Sequence, residues 1–441
     1  MAYFATKKTL SDALTDTSVP SFLFGCTPPR EGTDFFKVVQ SCESFTRRSA
    51  VLAADGYIVY DIQDEKGRTS MERPFPFRKT VDPSLYASLF PPASGKQCVV
   101  YKCVVSESRE QFQQWLDDAT RLPPDSSSSP SLRRKRTLLG RLGSSYPSSE
   151  AADKGTPTPT PTPTPAGTHH GGHNALVLVG APTSKGEYGG ISLKEAADIV
   201  NAKKGVTFGC VAIAERHSEA RGYKEHLNMV RKQSYGAKFF ITQGIFDGTS
   251  VVRLIQDYAE LCKSLDMPTR KVILTFAPCG REKTMSFIKW LGMNVPPEVE
   301  ARIFSKKATH PLADGERDTG PVEESCKVLK EVFSEVLDGV RGHGVTLGVN
   351  VESLSIFKEE IDAAHDLFQA LQKMLLDDRG DNWAVKWYDV KRGGSAYDDV
   401  VVMEPQSLVI PKTYLLLLGG FAGFMGFLAG RQYSAIGEAR R

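Results

Sequence analysis

No two of the eight cysteines have CxxC spacing; they stand at 26, 42, 98, 103, 210, 262, 279 and 326. A disulfide framework or a zinc quartet needs closer ligands. The thiols therefore read as reduced and mostly buried, in a cytosolic or similarly reducing setting. An excess of one charge is also missing. Lys and Arg number 55 against 52 Asp and Glu, a net charge of +3. Nothing global points to nucleic acid. The first residues, MAYFATKKTLSDALTD, lack an apolar h-region, which excludes a secretory signal peptide. Lys7 and Lys8 are weak grounds for organelle targeting, and Asp12 and Asp16 oppose it. No GxGxxG follows any β-like run, which weighs against an open dinucleotide-binding sheet.

What is present is a chain of 441 residues, 41% hydrophobic and 24% charged, enough for one large core. Residues 123–173 break the globular pattern. They hold PPDSSSSPS, the basic run Arg133, Arg134, Lys135, Arg136, then GTPTPTPTPTPAG and HHGGH. So few apolar residues cannot offset the entropy of ordering, so this stretch reads as a disordered insertion. Its Thr-Pro repeat favours an extended, polyproline-like chain. The basic run reads first as a solvated charge cluster, and second as a contact for a membrane or partner. His169, His170 and His173 read as a polar loop tip rather than a metal site, since no fixed scaffold holds them.

A second departure is the run TYLLLLGGFAGFMGFLAG, residues 413–430, flanked by Lys412 and Arg431. These 18 uncharged residues are near the lower end of the ~17–25 that span a bilayer as a helix. The run is apolar on all faces, unlike an ordinary core helix with one apolar stripe. It is expected to anchor the chain in a membrane as a tail anchor, with the preceding residues facing the cytosol. The basic residues of RQYSAIGEARR favour the mitochondrial outer membrane over the endoplasmic reticulum. Gly419 and Gly423, and Gly426 and Gly430, have GxxxG spacing, which suggests helix pairing in lipid and a homo-oligomer.

Elsewhere strand-like and helix-like stretches alternate. Strands are expected at 20–26, 57–62, 98–104, 175–180, 208–214, 239–243, 272–276 and 346–351. Amphipathic helices are expected at 107–122, 193–202, 223–235, 250–265 and 356–375, from apolar residues near 3.6-residue spacing. The return path after the second strand, within 65–96, is the least regular. Eight such units favour an α/β fold of the closed (β/α)8 TIM-barrel type, for which ~250 residues suffice, over a doubly wound open sheet. The expected division is 1–122 for the first part of the barrel, 123–173 for the insertion and 174–378 for the second part. A C-terminal extension at 379–412 and the transmembrane helix at 413–430 follow.

In such a barrel the chemistry sits just past the C-terminal ends of the strands. There the sequence resembles the methylenetetrahydrofolate reductase family. SFLFGCTPPR (21–30) resembles the family's first strand and its Pro-Pro turn. AERHSEARGYKEHLNMVRK (214–232) resembles the end of strand five and the next helix, GAKFFITQGIFD (236–247) strand six, and WLGMNVPPEVEARI (290–303) the helix pair after strand seven. The likeness spans roughly 18–375 without the insertion, and the ITQ motif together with 215–232 is its specific part.

The resemblance implies a flavoprotein oxidoreductase of one-carbon metabolism. Such a protein passes hydride from NAD(P)H through FAD to methylenetetrahydrofolate. It matches His217, Glu225, Asn228, Arg231 and Lys232 to flavin contacts and Gln243 to a folate contact. Asn228, Arg231 and Lys232 lie at i, i+3 and i+4, so one helical face presents them together. A guanidinium and an ammonium there suit a diphosphate, although a solvated basic face is the commoner use of such residues. A terminal amide such as Gln243 both donates to and accepts from a pterin edge.

Three departures stand out. The family's catalytic glutamate in its first strand is Leu23 here, its Arg-Gly-Asp after strand four is Val179-Gly180-Ala181, and its Gly-rich turn after strand two is YDIQDEKGRT (60–69). Reduction through an iminium needs a proton donor. Asp61, Asp64 and Glu65 are the candidates for that acid, with a hydrated polar loop as the equal alternative. A barrel that has lost catalysis, serving as a membrane-tethered scaffold or as a folate- or flavin-binding protein, is the competing reading.

Overall fold

The computed structural model describes residues 9–64, 71–121, 172–181, 188–306 and 319–378. Eight parallel strands close into a barrel in sequence order. They are β1 Phe22–Cys26, β2 Gly56–Val59, β3 Cys98–Cys103, β4 Ala175–Val179, β5 Thr207–Ala212, β6 Phe239–Gly244, β7 Lys271–Phe276 and β8 Leu347–Glu352. Closure is direct: Phe22 pairs with Val349 and Gly25 with Glu352 across β1 and β8. That contact excludes the open sheet. All eight expected strands are present, with ends displaced by up to three residues. The displacement that matters is at β8, which runs one residue past Val351 and so carries Glu352.

The helices follow their capping chemistry. Ser108 and Ser192 form capping boxes with Gln111 and Glu195 at the starts of α5 Arg109–Thr120 and α6 Leu193–Asn201. Each box satisfies two of the amide N–H groups that a helix start leaves unpaired. Asp247 accepts from the Ser250 N–H and caps α8 Gly248–Ser264. Between α6 and α8 lies α7 Glu225–Ser234. Beyond β7 come α9 Glu282–Trp290, α10 Pro297–Phe304 and α11 Gly320–Val340, and α12 Lys358–Asp378 follows β8. After β1 comes α2 Phe35–Ser49. The irregular return after β2 holds two short helices, α3 Pro83–Ala87 and α4 Phe90–Ser94, in place of one long one.

One short helix plugs the barrel floor. α1 Leu10–Thr15 inserts Leu10 and Leu14 among Leu23, Ile58, Val99, Phe239, Ile241 and Ile273 in the apolar interior. The buried Lys271 ammonium donates to the Ala13 carbonyl at 2.5 Å and to Ser21 Oγ at 2.7 Å. With the N-terminal end sealed, the C-terminal mouth is the face left for chemistry.

The insertion leaves and re-enters at the sealed end. The Gly172 and His173 N–H groups donate to the carbonyls of Arg121 and Ala119. His173 corrects the loop-tip reading: it is buried, with Nε2 2.9 Å from the Ser84 carbonyl. Residues 122–171, with the basic run, His169 and His170, lie outside the described residues, and so do 379–441 with the apolar run 413–430. Among the described residues no helix is long and apolar enough to cross a membrane. All eight cysteines are free. Burial pushes the Cys42, Cys210, Cys279 and Cys326 thiols up to about 12, which leaves them protonated and unreactive.

Candidate functional site at the barrel mouth

Alternation along the strands decides what faces the interior. On β1 it turns Leu23 and Gly25 inward, and on β8 Asn350 and Glu352; Leu23 is in register with Asn350, and Gly25 with Glu352. Leu23 is fully buried in the apolar layer. The Gly25 and Glu352 pair sits one step nearer the mouth. A Cβ on Gly25 would lie 2.8 Å from Tyr60 Cε2, 2.9 Å from Tyr60 Oη and 3.1 Å from Glu352 Cβ. The space above β1 is therefore filled from its neighbours, by a tyrosine just past β2 and a carboxylate on β8.

These groups form a chain of hydrogen bonds. Thr275 Oγ1 accepts from Asn350 Nδ2 at 3.2 Å, and Asn350 Nδ2 also donates to Tyr60 Oη at 2.8 Å. The Tyr60 hydroxyl stands beside Glu352 over Gly25, and the two groups act on each other's ionisation. The Tyr101 ring meets the Tyr60 ring edge-on, with centroids 4.9 Å apart. Only 7% of Glu352 is exposed. Burial pushes its carboxyl up from 4.5 to about 7, and the Tyr60 hydroxyl partly opposes that rise. Burial, and then the Glu352 charge, hold the Tyr60 and Tyr101 phenols well above their ordinary value. A buried carboxyl that keeps its proton as pH rises toward 7, beside the Tyr60 hydroxyl, is equipped to give up a proton.

The three carboxylates expected after strand two are placed differently. Asp61 is tied at both oxygens: Cys103 N donates to Oδ2 at 2.8 Å and Gln63 Nε2 to Oδ1 at 2.6 Å. Burial raises its carboxyl, and the Cys103 N–H works against the rise. It acts as a brace between the β2 and β3 ends. Asp64 is exposed and lies 3.7 Å from the Arg73 guanidinium. Arg73 in turn covers the Trp290 ring at 4.4 Å, so this loop leans on α9. Glu65 lies outside the described residues.

The five residues matched to a flavin gather beside β5. Glu225 is buried. Its Oε1 accepts from Lys232 Nζ at 3.2 Å and Ile213 N at 3.4 Å, and its Oε2 from Asn228 Nδ2 at 2.9 Å. Lys232 Nζ also donates to the Val211 carbonyl at 2.7 Å. Arg231 is exposed and donates to Asn228 Oδ1 at 2.8 Å. His217 is buried, with Nε2 2.8 Å from Asp257 Oδ2 and no partner for Nδ1. Burial lowers its imidazole and Asp257 opposes. Thus Glu225 and Lys232 satisfy each other, half-buried Asn228 links Glu225 to Arg231, and Arg231 is exposed. Potential ligand atoms of His217, His226 and Asp257 lie within 4.8 Å of one another. His217 Nε2 is already paired with Asp257 Oδ2, so this cluster reads as hydrogen-bonded rather than metal-binding.

Gln243 stands at the end of β6 and donates from Nε2 to the Leu291 carbonyl at 2.5 Å. The turn between α9 and α10 also reaches the ends of β5 and β6. Asn294 N donates to Glu215 Oε1 at 3.3 Å, and Asn294 Nδ2 to Asp247 Oδ2 at 3.0 Å. Gly244 lacks a side chain where a Cβ would sit 2.8 Å from Met293 Sδ. The apolar-Pro motif thus roofs one side of the mouth.

Strand-end reading missed Glu352, Tyr60, Asn350 and Thr275. The signal was Asn350 and Glu352 two residues apart at the end of a strand, both on one face.

No family model matches the chain, and no curated protein sequence matches it. Among solved structures, it is similar to an uncharacterized protein from Clostridium thermocellum that binds two copies of 5-methyl-5,6,7,8-tetrahydrofolic acid. The identity is 22% and the TM-score 0.59, over 83% of this chain and 99% of that one. That likeness shows a shared barrel. A type II Baeyer-Villiger monooxygenase from Pseudomonas putida, in complex with FMN, matches at 10% identity and a TM-score of 0.29, over 80% of this chain and 96% of that one. That second likeness is too weak to carry an argument.

Proposed function

We propose that this chain is a folate-binding barrel that reduces methylenetetrahydrofolate, with NAD(P)H as the hydride source and FAD as the carrier. One observation carries the reading. Glu225, Asn228, Arg231 and Lys232, matched by resemblance, are linked on α7, where Lys232 reaches the Val211 carbonyl of β5, and Gln243 stands at the end of the neighbouring β6. The folate bound by the Clostridium protein, which shares the barrel, supports it.

The residues present fit an anionic cofactor at their outer edge. Arg231 and Asn228 are presented there, and the unpartnered Nδ1 of the buried His217 is a hydrogen-bonding atom that the protein leaves over. Arg231 and Asn228 would hold the diphosphate, and Glu225 with Lys232 would hold α7 against β5. Bound FAD would supply two-electron hydride chemistry. Gln243 would orient the pterin through its amide, and the turn over β6 would keep water from the reacting face. A binding protein without turnover is the second reading. Leu23 favours it, because no proton can come from that position.

Titration of the full-length protein with 5-methyltetrahydrofolate tests the proposal. Saturable binding at micromolar levels is expected. Gln243→Ala should weaken it about tenfold, the equivalent of ~1.4 kcal/mol. Flavin bands are expected in the absorption spectrum after incubation with FAD. A wild-type chain that binds no folate would overturn the proposal.

A further inference from the structure

We propose that Glu352, on β8, is the proton donor for the reduction, in the place that a carboxylate on the first strand would otherwise fill. The inference rests on the folate-reductase reading above. Four observations support it. Glu352 is the inward-facing residue at the mouth end of β8, and its partner in register across the β1–β8 closure is Gly25. Gly25 has no side chain, and the volume over it is occupied by Glu352 and Tyr60. Leu23, which stands for the family's glutamate, is fully buried a step deeper and cannot ionise. Asp61, a half-buried carboxylate just past β2, has both oxygens committed to Cys103 and Gln63.

The surroundings suit an acid. The titratable groups acting on Glu352 are Tyr60 from the β2 end, Tyr101 from β3 and Cys26 from β1. None of them is a cation that would hold the carboxylate ionised. Burial therefore decides, and the group stays protonated up to about pH 7. Asn350, itself bonded to Thr275, holds the Tyr60 hydroxyl that stands beside the carboxyl.

The Glu352 O–H bond breaks and its proton goes to the folate amine nitrogen that leaves the methylene carbon. That C–N bond breaks and its electron pair stays on the nitrogen. The methylene carbon, now an iminium, accepts a hydride and becomes a methyl group. The two electrons come from the reduced nicotinamide, which is oxidised. The Glu352 carboxylate regains a proton from solvent.

The experiment uses the full chain, with 5-methyltetrahydrofolate binding and methylenetetrahydrofolate reduction measured side by side from pH 5.5 to 8.5. Wild-type rates should fall as pH rises through about 7, because the acid form is lost. Glu352→Gln should keep folate affinity within about threefold and lose on the order of 100-fold or more in rate, the usual worth of a general acid. Its residual rate should no longer depend on pH near 7. Tyr60→Phe provides a second variant. It removes the hydroxyl that lowers the Glu352 carboxyl, so the falling limb should move to higher pH. A Glu352→Gln rate within threefold of wild type overturns this inference and leaves the folate reading standing. So does a Tyr60→Phe profile with an unmoved limb. A wild-type chain that binds no folate overturns the reading, and this inference falls with it.

Discussion

Glu352 links protonation to folding as well as to chemistry. Its carboxyl titrates near 4.5 when unfolded and at about 7 when folded. Between those values the folded chain holds a proton that the unfolded chain has released. Stability is therefore greatest below about pH 4.5 for this group and falls as pH rises toward 7, by up to about 3 kcal/mol. Two histidines act with the opposite sign. Burial lowers His217 and His173, so their share of stability is present above the unfolded value of ~6.5 and is lost as pH falls below it. Glu352→Gln isolates the carboxyl from these. Thermal unfolding of the variant and the wild type at pH 5 and pH 8 should show the variant gaining relative stability at the higher pH. An equal difference at both would mean that Glu352 does not titrate in this range. The residue escaped sequence reading for a physical reason. Carboxylates after a strand, such as Asp61 and Asp64, look alike in sequence. What separates Glu352 from them is burial under Tyr60 and an empty position at Gly25, and both come from other strands.

At the scale of one element, α7 separates binding from folding. Lys232 compensates a buried Glu225 and ties the helix to the Val211 carbonyl, whereas Arg231 is exposed and touches Asn228. Removing one partner of a buried ion pair leaves an uncompensated charge, at a cost of roughly 3–5 kcal/mol. Lys232→Ala should therefore lower the melting temperature markedly. Arg231→Ala should leave it nearly unchanged while weakening affinity for FAD. Equal melting temperatures for the two variants would argue that Lys232 is not structural. The sequence presented the two cations as equivalent neighbours on one face, and only the partner on β5 distinguishes them. Other elements show the same boundary of legibility. The strands could be read because β-branched runs such as ALVLV in β4 need no partner to be recognised. In α2, by contrast, the buried face is Val38, Cys42, Thr46 and Ser49. Thr46 and Ser49 turn their hydroxyls back to carbonyls one turn earlier, so a core stripe looks polar and its period is hidden. The six-residue α1 has too few turns for any period to show.

For the whole molecule, the barrel closes between β1 and β8, and the last described helix packed around it is Lys358–Asp378. The apolar run at 413–430 lies outside the described residues. Those 18 uncharged residues between Lys412 and Arg431 are long enough for a helix of about 27 Å at ~1.5 Å per residue, close to the ~30 Å hydrocarbon core of a bilayer. In water the run would expose apolar groups on every side, with no stripe to turn inward. We propose that it anchors the barrel to a membrane with the mouth in the cytosol, where reduced thiols and soluble nicotinamides are found. The basic flanks favour the mitochondrial outer membrane. After expression in cells, the full chain should stay in the pellet on carbonate extraction, and a chain cut after Lys412 should be released. In intact mitochondria, added protease should digest the barrel, because it lies outside. Full-length protein in the soluble fraction would show that the run is covered by protein rather than lipid, and the anchor would be wrong while the barrel's chemistry stood untouched.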